Sequence, residues 1–317
     1  MARTNGLTIT PVAGALGAEV GGVDLSRPLD EATAAALRAA LVDHLVLMFR
    51  DQDLDPDAQT AFTATFGAPM RLPYIAPMDG HPEVIAVLKE ADERNISTFG
   101  GTWHSDFSFL GAPPLGSVLY AVEVPPAGGD TIWANMYGAY ESLSAGLRAL
   151  LDGMTAMHSG HVYGAERPPV DIATSTSIAI SRNNPEADRE VAHPVVRRHP
   201  ESGRKALFVN PVYTTRFADM TEAESAPLLE MLYEHATRPE HTCRLGWQAG
   251  SLAVWDNRCT LHLAVNDYDG HRRLLHRTAI AGERPLAAGS EDEASPAGET
   301  SPAGDASPGG EASPGAR

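Results

Sequence analysis

The stretch "WHSDFSF", residues 103 to 109, places an imidazole and a carboxylate two residues apart, at His104 and Asp106. The residues around them favour a strand, and side chains two apart on a strand point to the same side. A neutral imidazole and a carboxylate on one face make two adjacent arms of a metal site. The pair alone also fits a simpler interpretation, in which a buried histidine lies beside an aspartate that caps a turn.

A second histidine further along the chain extends this set. His262 lies in "WDNRCTLHLAV", after a Trp-Asp-Asn turn and inside a strand pattern. Two histidines and one carboxylate form the facial triad of non-haem iron enzymes, which leaves positions open on one side of Fe(II). Zinc enzymes also use histidine and carboxylate ligands with an open position, so these residues alone do not choose the metal.

Two arginines and a threonine could hold an anion beside such a metal. Arg273 follows His262 past the turn "NDYDGH", and the pattern predicts that it lies on the neighbouring strand. Arg277 lies four residues further along and faces the same side. A guanidinium grips a carboxylate through two parallel hydrogen bonds, and the hydroxyl of Thr131 is a further donor for that carboxylate. In isolation, a surface charge on an amphipathic strand is the favoured interpretation of both arginines.

The composition narrows the range of partners. The chain has 317 residues, 43% of them hydrophobic, and a formal net charge of -17. We expect no nucleic-acid or membrane partner from such acidity, although a locally positive buried site could still take a small anion. No apolar run is long enough to span a bilayer, and the N-terminus lacks a secretory signal pattern. The chain has only two cysteines, Cys243 and Cys259, and they have no metal-type spacing. We therefore expect no disulfide framework and predict a protein of the reducing cytoplasm.

Short strands dominate the predicted elements. The pattern predicts helices over residues 29–44, 55–67, 139–154 and 222–237, with strands before, between and after them. Thr221 and Glu224 form a capping-box pattern at the start of the last helix. We expect a loop-rich insert at roughly residues 158–192, with His158 and His161 near a substrate entrance. Many short strands and few helices favour a mainly β fold with flanking helices, arranged as a sandwich or barrel.

The C-terminal end differs from the rest of the chain. From residue 287 to residue 317 the sequence is acidic and rich in Ser, Pro, Gly and Ala, and it holds no apolar side chain larger than alanine. Such a segment cannot offset its ordering entropy by burial. We therefore predict one globular domain over residues 1–286 and a disordered tail over residues 287–317.

Several stretches, in matching order and spacing, resemble the taurine dioxygenase and 2,4-D dioxygenase (TauD/TfdA) family of Fe(II)- and 2-oxoglutarate-dependent oxygenases. They lie between Thr8 and Pro285 and include "GAEVGGVDLSRPL", "WHSDFSF", "PPAGGDTIWANM", "WDNRCTLHLAV" and "RRLLHRTAIAGERP". Two further stretches, "YEHATRPEHTCR" and "HLAVNDYDG", are similar to members that act on aryloxyalkanoates. The resemblance implies a double-stranded β-helix, a cupin-like jelly roll.

The resemblance also implies roles for the residues named above. His104, Asp106 and His262 would bind Fe(II) and form the catalytic centre. Thr131 and Arg273 would hold the far carboxylate of 2-oxoglutarate. Arg277 would lie near both the substrate and the metal-bound end of 2-oxoglutarate.

The reaction implied by the family is hydroxylation of a small anionic, partly apolar substrate by O2, sometimes followed by cleavage. It is coupled to the decarboxylation of 2-oxoglutarate to succinate and CO2. Because an aspartate stands at Asp106, where halogenating relatives have a small residue, we expect oxygenation and not halogenation. Two alternatives stay open: a non-catalytic jelly-roll protein that binds small anions, and a zinc hydrolase with the same ligands. Relatives often form homo-oligomers, so we expect a dimer or tetramer.

The expected substrate pocket is largely apolar and differs from that of the taurine-oxidising members. Where those members have a histidine, a tyrosine and an asparagine, this chain has Leu72, Ile75 and Gly100, so we expect taurine to be a poor substrate. Aryl or aryloxy carboxylates, alkyl sulfates and a biosynthetic amino acid or carboxylate are the candidates, with their anionic group at Arg277. The residues that we expect to line the pocket are Leu72, Tyr74, Ile75, Phe107 and Tyr163.

Overall fold

The computed structural model describes residues 2 to 4, 6 to 165 and 177 to 289. Within these ranges the chain is mainly β, as expected, with a small number of helices at its surface. The strands are β1 (Ala2–Thr4), β2 (Leu7–Pro11), β3 (Ala18–Gly21), β4 (Val46–Phe49), β5 (Pro69–Met70), β6 (Ile85–Lys89), β7 (Gly116–Glu123), β8 (Thr131–Asn135), β9 (Thr155–His158), β10 (Val191–Pro194), β11 (Val196–Arg198), β12 (Lys205–Leu207), β13 (Thr214–Phe217), β14 (Thr242–Leu245), β15 (Leu252–Asp256), β16 (Thr260–Ala264), β17 (Arg273–Ile280) and β18 (Leu286–Ala287). The α-helices are α1 (Glu31–His44), α2 (Pro56–Thr63), α3 (Met136–Glu141), α4 (Ala145–Leu151) and α5 (Glu222–Ala236), and two 3-10 helices span His161–Tyr163 and Pro239–His241.

The strands form one large sheet and three small ones. The large sheet has nine strands in the order β1-β2-β3-β4-β15-β7-β17-β5, and β6 pairs with β17 beside this path. The three-stranded sheets have the orders β10-β9-β13, β12-β11-β18 and β14-β8-β16. Strand pairs are antiparallel throughout, except that β3 runs parallel to β4.

The centre of the large sheet is buried on both faces. In β4, Leu47 and Phe49 belong to one apolar cluster, whereas Val46 and Met48 belong to the other. Because successive side chains on a strand point to opposite faces, each cluster lies on one face of the sheet. The first cluster is covered by α1 and α2, which contribute Leu37, Leu41 and Phe62.

The second cluster lies between the large sheet and the small sheet β14-β8-β16. Trp133 of β8 and Trp255 of β15 meet there, with ring centroids 5.7 Å apart. Both indoles are almost fully buried, and aromatic pairs of this kind contribute a large buried area to a core. The candidate metal ligands lie beside this pair of rings, in the layer between the two sheets.

Local capping explains where the helices begin. The side chain of Asp30 accepts a hydrogen bond from the backbone of Thr33 at the start of α1. The predicted capping box at the start of α5 is confirmed, with both reciprocal bonds present between Thr221 and Glu224. Among the described residues, no helix combines the length and apolarity needed to cross a bilayer.

The single helix predicted over residues 139–154 is wrong, because two short helices occupy this region. The hydroxyl of Ser142 donates to the carbonyl of Gly138, and the hydroxyl of Ser144 accepts from the backbone of Leu147, so that α3 ends and α4 begins between them. Serine side chains compete in this way with the hydrogen bonds of a continuous helix.

Two other predictions need correction or restriction. The strands of His262 and Arg273 are not neighbours: β16 pairs with β8, whereas β17 pairs with β5, β6 and β7 in the large sheet. The segment between them, residues 265 to 272, therefore passes from one sheet to the other. Most of the predicted tail, residues 290 to 317, lies outside the described residues, and Ala287 still belongs to strand β18.

Candidate metal centre

His104, Asp106 and His262 converge, although they come from two distant segments. The histidines form an isolated antiparallel bridge, with the backbone N–H of each donating to the carbonyl of the other at 3.0 and 2.8 Å. The sequence predicted that Asp106 lies on a regular strand with His104. Instead, Asp106 begins the turn that follows the bridge. Its Oδ1 lies 3.5 Å from Nε2 of His104 and 3.6 Å from Nε2 of His262. All three side chains are buried.

The other oxygen of Asp106 is fully engaged. Its Oδ2 accepts hydrogen bonds from Ser117 at 2.7 Å and Asn257 at 3.3 Å, and it pairs with Nη2 of Arg277 at 2.6 Å. Burial alone would raise the pKa of this carboxyl. The charge of Arg277, helped by the contacts with the two histidines, outweighs that effect and holds the pKa of Asp106 well below its usual range. The carboxylate is therefore ionised, with Oδ1 turned to the histidines.

The histidines offer lone pairs to the same point. Nδ1 of His104 lies 2.7 Å from the carbonyl of Thr102, and because a carbonyl only accepts, Nδ1 carries a proton and Nε2 is the ring nitrogen available to a metal. Burial holds the pKa of His262 well below its usual range, so that ring is neutral. When both Nε2 atoms are unprotonated, as metal ligation requires, they and the carboxylate oxygen repel one another unless a cation lies among them. This donor set fits a divalent transition metal.

Trp255 supports this site from below. Its ring centroid lies 4.8 Å from that of His262, and its indole N–H donates to Oδ1 of Asn257 at 2.8 Å. Asn257 in turn uses its amide nitrogen to bind Asp106. One side chain therefore links the orientation of the carboxylate to the packing of the core.

Arg273 provides a second buried cation. The side chain is 3% exposed, and among the described residues its Nε and one Nη find no hydrogen-bond partner. It passes beside Gly129, and its guanidinium carbon lies 5.6 Å from the ring centroid of Tyr268. Thr131, two residues after Gly129, is also buried; its hydroxyl accepts a bond from Trp247 at 3.0 Å and so keeps its own hydrogen for another group. Unpartnered buried donors of this kind fit a carboxylate ligand.

The residues expected in the substrate pocket form a continuous apolar group. The ring of Tyr163 stacks on Tyr74 at 5.2 Å and on Phe107 at 5.7 Å, and Phe107 directly follows the metal-site aspartate. Ile75 forms a backbone bridge with Ile180. A cavity of ≈ 600 Å³ lies against this bridge. Of the expected residues, Leu72, Tyr74 and Ile75 line it, whereas Phe107 and Tyr163 are not among its lining residues and connect to it through the stacking of Tyr163 on Tyr74.

The expectation that His158 is a loop residue is wrong. It is the last residue of β9 and is fully buried, with Nδ1 3.0 Å from the hydroxyl of Ser108. Burial lowers the pKa of His158 to about 3, so the ring is neutral and its role is to join β9 to the turn after Asp106. His161 lies in the 3-10 helix that carries Tyr163.

A second cluster of potential ligands consists of His199, Asp256 and Cys259. Nδ1 of His199 accepts two backbone N–H bonds, so its Nε2 carries the proton and donates to Asp256 at 3.0 Å. Asp256 also binds the guanidinium of Arg258 through both oxygens. Neither group keeps a free electron pair directed at a metal, and we interpret the cluster as a structural ion-pair network.

The sequence did not reveal three residues that the structure places around the site. Ser117 and Asn257 hold the aspartate, as described above. Tyr213 lies on the far side of Phe109, with ring centroids 5.0 Å apart, and its hydroxyl is 3.5 Å from that of Tyr163. The Trp-Asp-Asn turn was a signal for Asn257, but nothing local in the sequence indicates that Ser117 or Tyr213 approaches the metal ligands.

Comparison with known proteins agrees with this geometry. Residues 8–279 match the family model described as "Taurine catabolism dioxygenase TauD, TfdA family". An α-ketoglutarate-dependent sulfate ester dioxygenase of Pseudomonas putida is 39% identical, over 88% of this chain and 91% of its own. An alkylsulfatase of Acinetobacter baylyi is 34% identical, over 88% and 86%. A crystal structure described as a taurine dioxygenase from Burkholderia xenovorans is 38% identical with a TM-score of 0.73, over 89% and 93%. The chain therefore belongs to the TauD/TfdA family of dioxygenases.

Proposed function

We propose that this dioxygenase oxidises an organic sulfate ester at the carbon bonded to the ester oxygen. Membership of the family, together with the His-Asp-His site, makes the chain an oxidoreductase that depends on Fe(II), 2-oxoglutarate and O2. The identity with a sulfate ester dioxygenase over most of both chains carries the choice of substrate class. A cavity lined mainly by apolar residues and a buried arginine at the metal site agree with an alkyl chain that ends in an anion.

We assign His104, Asp106 and His262 as the iron ligands, because their free electron pairs face one another in a buried site. We assign Arg273 and Thr131 to the distal carboxylate of 2-oxoglutarate, because both are buried, Nε and Nη2 of Arg273 have no hydrogen-bond partner among the described residues, and the hydroxyl of Thr131 accepts from Trp247 and keeps its hydrogen. When bound, the metal and 2-oxoglutarate together supply the O2 activation, with succinate and CO2 as products.

The chain itself contributes position and a dry environment. Arg277 fixes Asp106 through one nitrogen, and its Nε has no hydrogen-bond partner among the described residues, so it can meet an anionic group. The stacked rings of Tyr74, Tyr163 and Phe107 exclude water and place a carbon chain against the metal site.

The chemistry balances without a further reactant. One oxygen atom of O2 enters the C–H bond next to the ester oxygen, and the other enters succinate. The hydroxylated ester then loses its O–H proton, the C–O bond to sulfate breaks, and sulfate leaves with the electron pair. The products are an aldehyde or ketone, sulfate, succinate and CO2.

The test compares three anions in the same assay. Anaerobic addition of Fe(II) and then 2-oxoglutarate should give the weak visible charge-transfer band of the chelate. After admission of air, we expect hexyl sulfate to release succinate and sulfate in equal amounts, with phenoxyacetate and taurine much slower. Faster turnover of phenoxyacetate would move the assignment to aryloxyalkanoates, for which a 2,4-dichlorophenoxyacetate dioxygenase of Burkholderia sp. is a 35% identical relative. Sulfite release from taurine at a comparable rate would contradict the proposed substrate.

The remaining features are proposed on narrower grounds. We assign the fold as a double-stranded β-helix, supported by the large sheet and the β14-β8-β16 sheet packing through Trp133 and Trp255. The buried free thiols of Cys243 and Cys259 support a reducing cytoplasm. A domain of residues 1–286, a disordered tail and a homodimer or homotetramer stay predictions from the sequence and the resemblance.

A further inference from the structure

We propose that the hydroxyls of Tyr163 and Tyr213 form a specificity-determining pair that donates hydrogen bonds to the anionic head of the substrate. This inference rests on the proposed function and names the groups that recognise the sulfate. Tyr163 was expected only as an apolar wall of the pocket, and Tyr213 was not expected at all.

The two hydroxyls meet below the protein surface. Their oxygens lie 3.5 Å apart, and both side chains are 4% exposed. Hydrogen bonds between hydroxyls are usually shorter than about 3.0 Å, so this contact satisfies neither group well. Buried hydroxyls without good partners are costly, which indicates that a third group completes the pair. An oxygen seated between them could accept from both.

The pair lies within the electrostatic field of the metal site. Burial raises the pKa of both phenols, and the charges of Asp106 and Arg277 act on each of them. Both hydroxyls are therefore protonated donors, and each feels the charge of the Arg277 guanidinium, whose Nε has no hydrogen-bond partner among the described residues. An anion with several acceptor oxygens, such as a sulfate ester head, can use all of these donors together.

Both tyrosines are held in place by contacts with the segment that follows Asp106. Oδ1 of Asn210 accepts from the backbone of Tyr213 at 2.9 Å, while its amide nitrogen donates to Ser108 at 2.8 Å. Ser108 is two residues after Asp106. Tyr163 stacks on Phe107, which lies between those two residues. The hydroxyl pair is thus held at a fixed place relative to the metal ligands, as a specificity element requires.

The experiment measures hexyl sulfate turnover by Tyr213→Phe and Tyr163→Phe, which remove one hydroxyl each and keep the ring. A lost hydrogen bond to a charged group predicts a KM for hexyl sulfate that is about 10 to 100 times higher. The KM for 2-oxoglutarate and the chelate band should not change. Tyr120→Phe is the matched control, because this buried tyrosine donates to the carbonyl of Gln52 in the other apolar cluster. We expect it to lower the melting temperature without changing the KM.

The outcomes separate this inference from the proposed function. If the wild-type enzyme oxidises hexyl sulfate and both pocket variants keep its KM, the hydroxyls are structural and the inference is wrong. If the variants lose the chelate band together with activity, the tyrosines act through the metal site, and the inference is also wrong. If the wild-type enzyme neither binds nor oxidises hexyl sulfate, the proposed function fails and the inference fails with it.

Discussion

Nη2 of Arg277 lies 2.6 Å from Oδ2 of Asp106, and both groups are nearly fully buried. The pair comes from β17 of the large sheet and from the turn that follows the histidine bridge. It therefore connects the sheet that carries Arg273 and Arg277 to the candidate metal ligands. Removal of one partner of such a buried pair leaves the other charge without compensation, which is costly.

We predict that Arg277→Gln weakens Fe(II) binding by roughly 10- to 100-fold, because Asp106 loses its fixed orientation and its low pKa. Competition against a chromophoric chelator measures the change. Arg272→Gln is the matched control, since the neighbouring Arg272 pairs with Glu90 and Glu123 at the surface. Surface pairs contribute about 1 kcal/mol or less, so this variant should keep its iron affinity. Equal losses in both variants would contradict the role of the buried pair.

Ser117 also holds the carboxylate of Asp106, and its removal should have a smaller effect on metal binding than the removal of Arg277. Its hydroxyl donates to Oδ2 of Asp106 at 2.7 Å, and we expect Ser117→Ala to lower metal affinity by about 10-fold. Ser225→Ala also removes a buried hydroxyl, at the start of α5, where it bonds to the carbonyl of Thr221. Both variants should lose about 1 kcal/mol in the free energy of unfolding. Only Ser117→Ala should lower the affinity for iron. An equal loss of iron affinity in Ser225→Ala would show that lower overall stability causes the effect.

Gly129 allows a test of the position of Arg273, because a Cβ added at this glycine would meet the Arg273 side chain. Its φ is +70°, and an added Cβ would lie 3.0 Å from Nε of Arg273 and 3.1 Å from its Cδ. Gly129→Ala should therefore displace the guanidinium and raise the KM for 2-oxoglutarate several-fold, with a smaller effect on the KM for the sulfate ester.

The control for this variant is Gly146→Ala. Gly146 lies in α4 with no atom within 4 Å of an added Cβ, so alanine should raise stability by roughly 0.5–1 kcal/mol and leave the KM values unchanged. An unchanged KM for 2-oxoglutarate in Gly129→Ala would argue against Arg273 as the site of its carboxylate.

The sequence sufficed for those features that depend on residue type and local pattern. The capping box at Thr221, the mainly β character and the convergence of His104, Asp106 and His262 are all present in the structure. Each of these features follows from local sequence patterns or from the resemblance to a family. None of them requires knowledge of which strands are neighbours.

Strand order and burial could not be predicted in the same way. Arg273 follows His262 by eleven residues, yet the chain crosses to another sheet between them. His158 was predicted to lie in a loop-rich insert, whereas long-range pairing of β9 with β10 and β13 buries it. Tyr213 reaches the site through Asn210 and Ser108, a contact that spans 102 residues. Such contacts depend on tertiary packing, which outweighs local preference.

Two buried histidines make the stability of the metal-free protein sensitive to acid. Burial lowers the pKa of His158 to about 3 and that of His193 to about 4, from an ordinary value of 6.5. Below pH 6.5 these two histidines bind protons in the unfolded chain but stay neutral in the folded protein. The free energy of unfolding therefore falls as the pH decreases. The loss continues until the pH passes the folded-state pKa values, and it amounts to roughly 2 kcal/mol for each group at pH 5.

Urea unfolding at pH 8 and pH 5 measures this dependence. We expect His158→Gln to remove roughly 2 kcal/mol of the loss between the two pH values, because glutamine keeps a polar contact with Ser108 but does not titrate. The exposed His271 is the control, and His271→Gln should retain the wild-type dependence. Since the carboxylate of Asp106 is present in every variant, its protonation cancels from the comparison. An identical pH dependence in His158→Gln and the wild-type protein would mean that His158 accepts a proton in the folded state, and the neutral link between β9 and the metal-ligand turn would then be wrong.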